Sequence, residues 1–459
     1  MHNLSIRSLK EGYQKKQFSP VEITKMYLDR IHHLQDLNAY ITVTEDIALQ
    51  QAKIAEKKYL AGQTGILEGI PLSYKDNLNT KGIRTTSGSK VDENFIPNED
   101  AGVVRTLQRE GAINLGKVNM HEFAFGITSN NPFYGPVKNP WNKEYTPGGS
   151  SGGSGAAVAA SLSVASIGTD TAGSIRIPAA SCGVIGLKPT HDLVDATGVK
   201  HISWTLDHIG PLTKNMDDLA IMMEAMTGTN YTACLTEDIR GLRIGVPKNY
   251  FNEGIDGNTF ALFEKVLKDL ESLGAILIEI DIPYSLDDLA MSFAIGLSEA
   301  GFVHEETILS AMDSFGLDVK ASLENSHAIP AIDYIKALKR KVQLNLGIEQ
   351  LFEKVDIIAT PTTPITPQKI GEEMLEINGN QDSVYHTMIR LPAIFNVTGH
   401  PALSIPCGLA ENGLPVGLQL AAAQNNERVL IHSGYSYEQA FLKSFYAKRD
   451  SIVDLAIKK

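Results

Sequence analysis

The sequence predicts an α/β fold built on a layered sheet, and three observations carry that expectation. Apolar strand-like runs alternate with amphipathic helix-like ones along much of the chain. Hydrophobic residues make up 43% and charged residues 20% of the 459, the balance of a chain able to bury a large core. The stretch from 156 to 167 has the texture of a tightly packed helix followed by a buried strand. Length alone suggests about three domains.

Taken in order, Ser19-Pro20-Val21-Glu22 reads as a helix start, with a serine cap, proline in the first turn and a glutamate placed for a capping box. Ile23, Met26, Tyr27, Ile31 and Leu34 continue one helical face. Residues 38–43 read as a strand and 47–61 as a second helix ending near Gly62. The apolar run Gly69-Ile-Pro-Leu-Ser-Tyr-Lys75 reads as a strand whose lysine, on residue type alone, snorkels at the strand end. Residues 101–110 predict an amphipathic helix, 112–115 a short buried strand, and 119–126 a loop or short helix. Further on, 217–226 and 259–273 read as helices. Residues 242–247, 276–280, 356–361, 401–406 and 416–420 read as strands, and 427–445 as one closing helix.

The densest chemistry lies in Thr146-Pro-Gly-Gly-Ser-Ser-Gly-Gly-Ser-Gly155 and Gly168-Thr-Asp-Thr-Ala-Gly-Ser-Ile-Arg-Ile-Pro178. Two serine-bearing glycine loops flank one small-residue segment. A helix packed closely on a sheet brings the loops at its two ends together, and successive amides ending at Ser174 can converge on a developing oxyanion. A phosphate loop would end in Lys-Ser/Thr, which is missing. A flexible linker would not run straight into Ala-Val-Ala-Ala and a β-branched strand. The Gly-x-Ser-x-Gly pattern fits at both Ser150 and Ser151 and so discriminates little. Residue types alone leave a catalytic loop pair and an ordinary polar loop both open.

Those two segments, with Cys182-Gly-Val-Ile-Gly-Leu-Lys-Pro-Thr190, resemble the amidase signature family. The resemblance implies a single α/β/α sandwich around a large, mainly parallel mixed sheet, so that 1–459 is one amidase domain rather than three. The likeness is strongest over about 69–211, and about 285–390 is the variable region expected to shape the substrate pocket. It also implies a nucleophile at Ser174, a bridging serine at Ser150 behind a cis peptide bond after Gly149, and a base at Lys75, which stands in the family's Lys-Asp-Asn context. Backbone N–H groups of Thr171, Ala172, Gly173 and Ser174 are the expected oxyanion hole, and Ala124, Phe125 and Gly126 the expected pocket wall. Ser151, Asp170 and Arg176 are expected to support the loops. Ala172 departs from the family's usual glycine; it keeps the N–H but restricts φ. A rival Ser-His-Asp arrangement would draw its base from His121, His208 or His400.

Net charge is −12 and basic residues are scattered, which argues against direct nucleic-acid binding or an anionic membrane surface. The three cysteines form neither a disulfide framework nor a metal motif, the first residues lack a signal-peptide profile, and no apolar run is long enough to span a bilayer. A cytoplasmic protein needing no metal and no cofactor is expected. Within the family two branches compete: a stand-alone hydrolase of a small-molecule amide, with room for a homodimer, and the glutamine-hydrolysing component of an aminoacyl-tRNA amidotransferase working with a partner subunit. Those amidotransferase components carry an Arg-Arg-Ile-Met-Leu-Gly run that is replaced here by residues 319–334, and a glutamine where His208 stands. The sequence therefore favours the hydrolase.

Overall fold

The computed structural model describes residues 3–457, with side chains through 452. Eleven strands form one sheet: β1 (Tyr40–Val43), β2 (Pro71–Lys75), β3 (Ile113–Val118), β4 (Ala165–Asp170), β5 (Ile185–Lys188), β6 (His208–Thr213), β7 (Arg243–Pro247), β8 (Ile276–Ile280), β9 (Ile357–Pro361), β10 (Ala402–Leu409) and β11 (Pro415–Ala421). Their spatial order is β1-β3-β2-β4-β6-β5-β10-β11-β9-β7-β8. Helices surround the sheet, as the alternating pattern predicts. One expectation needs correction: the sheet is mixed but not mainly parallel. Parallel pairing is confined to β3-β2-β4 and β9-β7-β8, while every pairing from β4 through β6, β5, β10 and β11 to β9 is antiparallel, as is β1-β3. The β10–β11 hairpin, closed by the short turn 410–414, forces reversal where crossover helices would give parallel strands.

Local sequence signals explain the frame. The capping box at Pro20–His33 is formed: the Glu22 amide donates to Ser19 Oγ at 3.2 Å, and the Ser19 amide to Glu22 Oε2 at 2.7 Å. The helix Gly152–Ala159 is fully buried, which its small residues permit. A Cβ on Gly155 would stand 3.0 Å from Pro178 Cβ, so glycine there lets this helix lie directly on Arg176–Cys182. These two short helices carry the two serine loops on their N-terminal ends. The closing segment is two helices, not one, because the chain breaks between Glu427–Phe441 and Lys443–Ile457 at the buried Leu442. Among the described residues no helix is long and apolar enough to cross a membrane.

Candidate active site

The register of the central strands brings the candidate residues together. β2 runs parallel to β4 with Tyr74 opposite Ile167, so Lys75 at the end of β2 faces Thr169 near the end of β4. Lys75 is fully buried, and its Nζ lies 2.7 Å from Ser150 Oγ and 2.7 Å from Thr169 Oγ1, with the Thr169 carbonyl at 3.5 Å. All these partners are neutral. Burial pushes the lysine from its ordinary 10.5 down to about 7, against the opposing fields of Asp207 and Asp170. Asn77 Nδ2 donates to the same Thr169 hydroxyl at 3.3 Å, holding it toward the lysine.

The peptide bond Gly149–Ser150 is cis. The Ser150 carbonyl accepts from the His121 amide at 3.1 Å and from Ser129 Oγ at 3.3 Å. Ser151 Oγ bridges to the Thr169 carbonyl (3.0 Å) and amide (3.3 Å), fastening the loop to β4. The Ser151 amide donates to the Ser174 carbonyl at 3.3 Å, which draws the two serine loops together. Ser174 itself is nearly buried at the floor of a cavity.

Asp170 organises the loop that carries Ser174. Its carboxylate accepts from the amides of Gly173 (2.7 Å) and Ile175 (3.1 Å), from Arg176 Nε (3.0 Å) and Nη2 (2.9 Å), and from Asn396 Nδ2 (2.8 Å). Desolvation opposes its ionisation, but the Arg176 guanidinium and these donors hold it well below the usual carboxylate range. Arg176 is equally buried and reaches Gln419 Oε1 at 2.7 Å and the Pro392 carbonyl at 2.8 Å. The Gly173 amide is committed to Asp170, whereas the amides of Thr171, Ala172 and Ser174 have no acceptor among the described residues. Gly173 has φ +125°, a conformation that needs glycine, whereas Ala172 stays outside the positive-φ region, so its Cβ is tolerated.

Ala124, Phe125 and Gly126 do line the cavity in front of Ser174, along with Thr171 and Ala172. The rival histidines are engaged elsewhere: His121 Nε2 lies 2.7 Å from Asp318, His400 Nε2 lies 2.7 Å from Glu349, and His208 Nδ1 lies 2.7 Å from the Leu206 carbonyl. Sequence reasoning missed Thr169, Asn77 and Asp207. Asp207 Oδ1 accepts from Thr171 Oγ1 at 2.6 Å, and its other oxygen accepts from the Ile202 amide at 3.0 Å, tying the 171–174 loop to the 201–207 segment. Thr169 and Asn77 stand inside motifs already visible, so the available signal there was a polar side chain embedded in an apolar or small-residue run.

Comparison with known proteins identifies relatives along nearly the whole chain. The family model described as Amidase matches residues 22–431. The chain is 39% identical to the A subunit of glutamyl-tRNA(Gln) amidotransferase from Caldanaerobacter subterraneus subsp. tengcongensis, over 98% of this chain and 99% of that one. It is 37% identical to the corresponding protein of Acinetobacter baylyi, over 99% of each. Among solved structures, one described as the crystal structure of an amidase is 31% identical with TM-score 0.90, covering 95% of this chain and 99% of that one. The native peptide amidase of Stenotrophomonas maltophilia is 29% identical with TM-score 0.84, covering 95% and 96%.

Proposed function

The chain belongs to the amidase family and is an enzyme acting on amide bonds; from that premise we propose that it hydrolyses a small carboxylic amide on its own, through an acyl-enzyme at Ser174. The observation that carries this reading is the buried Lys75 amine 2.7 Å from Ser150 Oγ with only neutral hydrogen-bond partners. An amine held that way is a base near neutral pH. Its lone pair takes the Ser150 proton while one of its N–H groups donates to Thr169 Oγ1. Ser150 in turn takes the proton of Ser174, whose oxygen attacks the carbonyl carbon. The amides of Thr171, Ala172 and Ser174 receive the oxyanion, and each such donor is worth about 3–4 kcal/mol in the barrier. As the C–N bond breaks, Ser150 returns the proton to the leaving nitrogen. Water then attacks the acyl-enzyme by the same relay.

In this proposal the whole chain works as one amidase domain. Residues of about 69–211 supply the chemistry, and about 285–390 shape the pocket, to which Ser292, Phe293, Tyr385 and Ile389 contribute. A second reading, the glutamine-hydrolysing component of an aminoacyl-tRNA amidotransferase, is favoured by the full-length likeness to such proteins. Assaying the purified chain against neutral amides and L-glutamine, with and without candidate partner subunits, separates the two. Hydrolysis of neutral amides by the chain alone is the expected result. Glutaminase activity appearing only when a partner is added would refute it.

A further inference from the structure

Resting on that amide-hydrolase reading, we propose that the substrate's acyl group is uncharged and carries an aromatic ring or an alkyl group of similar bulk, and that Gly296 sets how much of it fits. The cavity above Ser174 is walled by Phe125, Phe293, Tyr385, Leu206, Leu297 and Ile389. The Phe293 and Tyr385 rings lie 6.0 Å apart, centroid to centroid, as two faces of one apolar wall. Among the described residues no aspartate, glutamate, lysine or arginine lines the cavity. Two of its four side-chain hydroxyls are spoken for, since Ser292 Oγ donates to the Leu289 carbonyl at 2.6 Å and Thr171 Oγ1 to Asp207 at 2.6 Å; the others belong to Ser174 and Tyr385. A carboxylate or ammonium on the acyl side would leave water and meet no counter-charge. Free glutamine carries both.

Gly296 lies inside the helix Leu286–Val303, where glycine is among the least favourable residues. Packing does not require it. A Cβ there would meet only Leu206 Cδ1, at the ordinary contact distance of 3.9 Å. Gly301 of the same helix is the contrast, because its Cβ would stand 2.6 Å from Ser326 Oγ. One glycine lets two elements touch; the other, beside Ser292 and Phe293 on the cavity wall, leaves space open. Open volume facing a nucleophile is what a bulky acyl group occupies.

The test is a matched series of kcat/KM values: phenylacetamide against acetamide for bulk, and succinamate against butyramide for charge, with L-glutamine added. Phenylacetamide should exceed acetamide by at least about tenfold, and butyramide should exceed succinamate by a similar factor. Gly296→Leu should lower the phenylacetamide-to-acetamide ratio at least about tenfold. Should that variant misfold, Gly296→Ala, which has room for its methyl group, should lower the same ratio by a smaller factor. Acetamide, succinamate or glutamine as the best substrate overturns the inference while leaving the amide-hydrolase reading intact, and so does a ratio unmoved by either variant. Failure to turn over any amide refutes the hydrolase reading and this inference with it.

Discussion

A base that works only when neutral writes its titration into the rate. Burial holds Lys75 at about 7 instead of 10.5. About half of the enzyme therefore carries the uncharged amine at pH 7, roughly 1% at pH 5 and nearly all at pH 9; a lysine titrating at 10.5 would be neutral in only about 1 molecule in 3,000 at pH 7. For an uncharged amide, kcat/KM should rise about tenfold per pH unit below 6 and level off above 8, with the value at pH 5 about a hundredfold below the plateau. Asp207→Asn sharpens the test. The Asp207 carboxylate favours the ammonium form and so raises the lysine's pKa against burial. Neutralising it should move the rising limb to lower pH. The same change weakens the acceptor of the Thr171 hydroxyl, 2.6 Å away, so the plateau should fall as well. A horizontal shift and a vertical drop are separable in one set of initial-rate measurements from pH 5 to 9. A flat wild-type profile, or a limb that moves to higher pH in Asp207→Asn, would refute the lysine base.

Three further outcomes follow from the buried network. Arg176→Met leaves the Asp170 carboxylate buried without its cation, and unfolding by urea should show a loss of about 3–5 kcal/mol. Thr169→Val removes the hydroxyl that accepts from Lys75 Nζ at 2.7 Å and Asn77 Nδ2 at 3.3 Å; kcat should fall at least about tenfold and stability by about 1–3 kcal/mol from the buried donors left unpaired, and unaltered kcat would remove Thr169 from the site. Asp218 is raised by burial to about 7 from 3.8, so its native form binds the extra proton between those values. Its contribution is present below about pH 4 and is lost as pH rises through 7, and the urea midpoint of Asp218→Asn should therefore decline less between pH 4 and 7 than that of the wild type.

The elements with a strong local pattern were legible before any coordinates. The capped helix at Ser19, the strand 276–280 and the serine loops all fall where periodicity and turn chemistry put them. The identities of Lys75, Ser150 and Ser174 came from a resemblance, because residue type alone reads a lysine at a strand end as a surface-seeking one. Strand direction was not legible: an apolar run of five residues looks the same in either orientation, and β5, β6, β10 and β11 turned out antiparallel. Thr169 acquires its role only through the register of β4 against β2, and Asn396 and Gln419 reach the site from more than 200 positions away. The partner that the Gly173 amide takes was hidden for a similar reason. Four consecutive amides are visible in the sequence, but which one Asp170 takes depends on where its side chain points.

Charge around Ser174 is absent from the described lining of the cavity. Behind Ser174 lie the Asp170–Arg176 pair, Asp207 and Lys75, all deeply buried, while the described residues lining the cavity in front offer no formal charge at all. The two halves depend on each other. A neutral lysine needs the water excluded, because hydration would restore its ammonium form and stop the relay. The carboxylates behind it pull the other way, and they are tolerable because Asp170 is neutralised by Arg176 and Asp207 is occupied by the Thr171 hydroxyl and backbone amides. An acyl group that completes the apolar wall would deepen the desolvation of the base as it binds. A charged acyl group would bring its own hydration, or its own field, to the one place where the proposed mechanism needs neither. On that ground the composition of the pocket and the chemistry of the lysine are a single requirement, and a glutamine-specific site would have to meet it with a counter-charge that the described lining of this cavity does not contain.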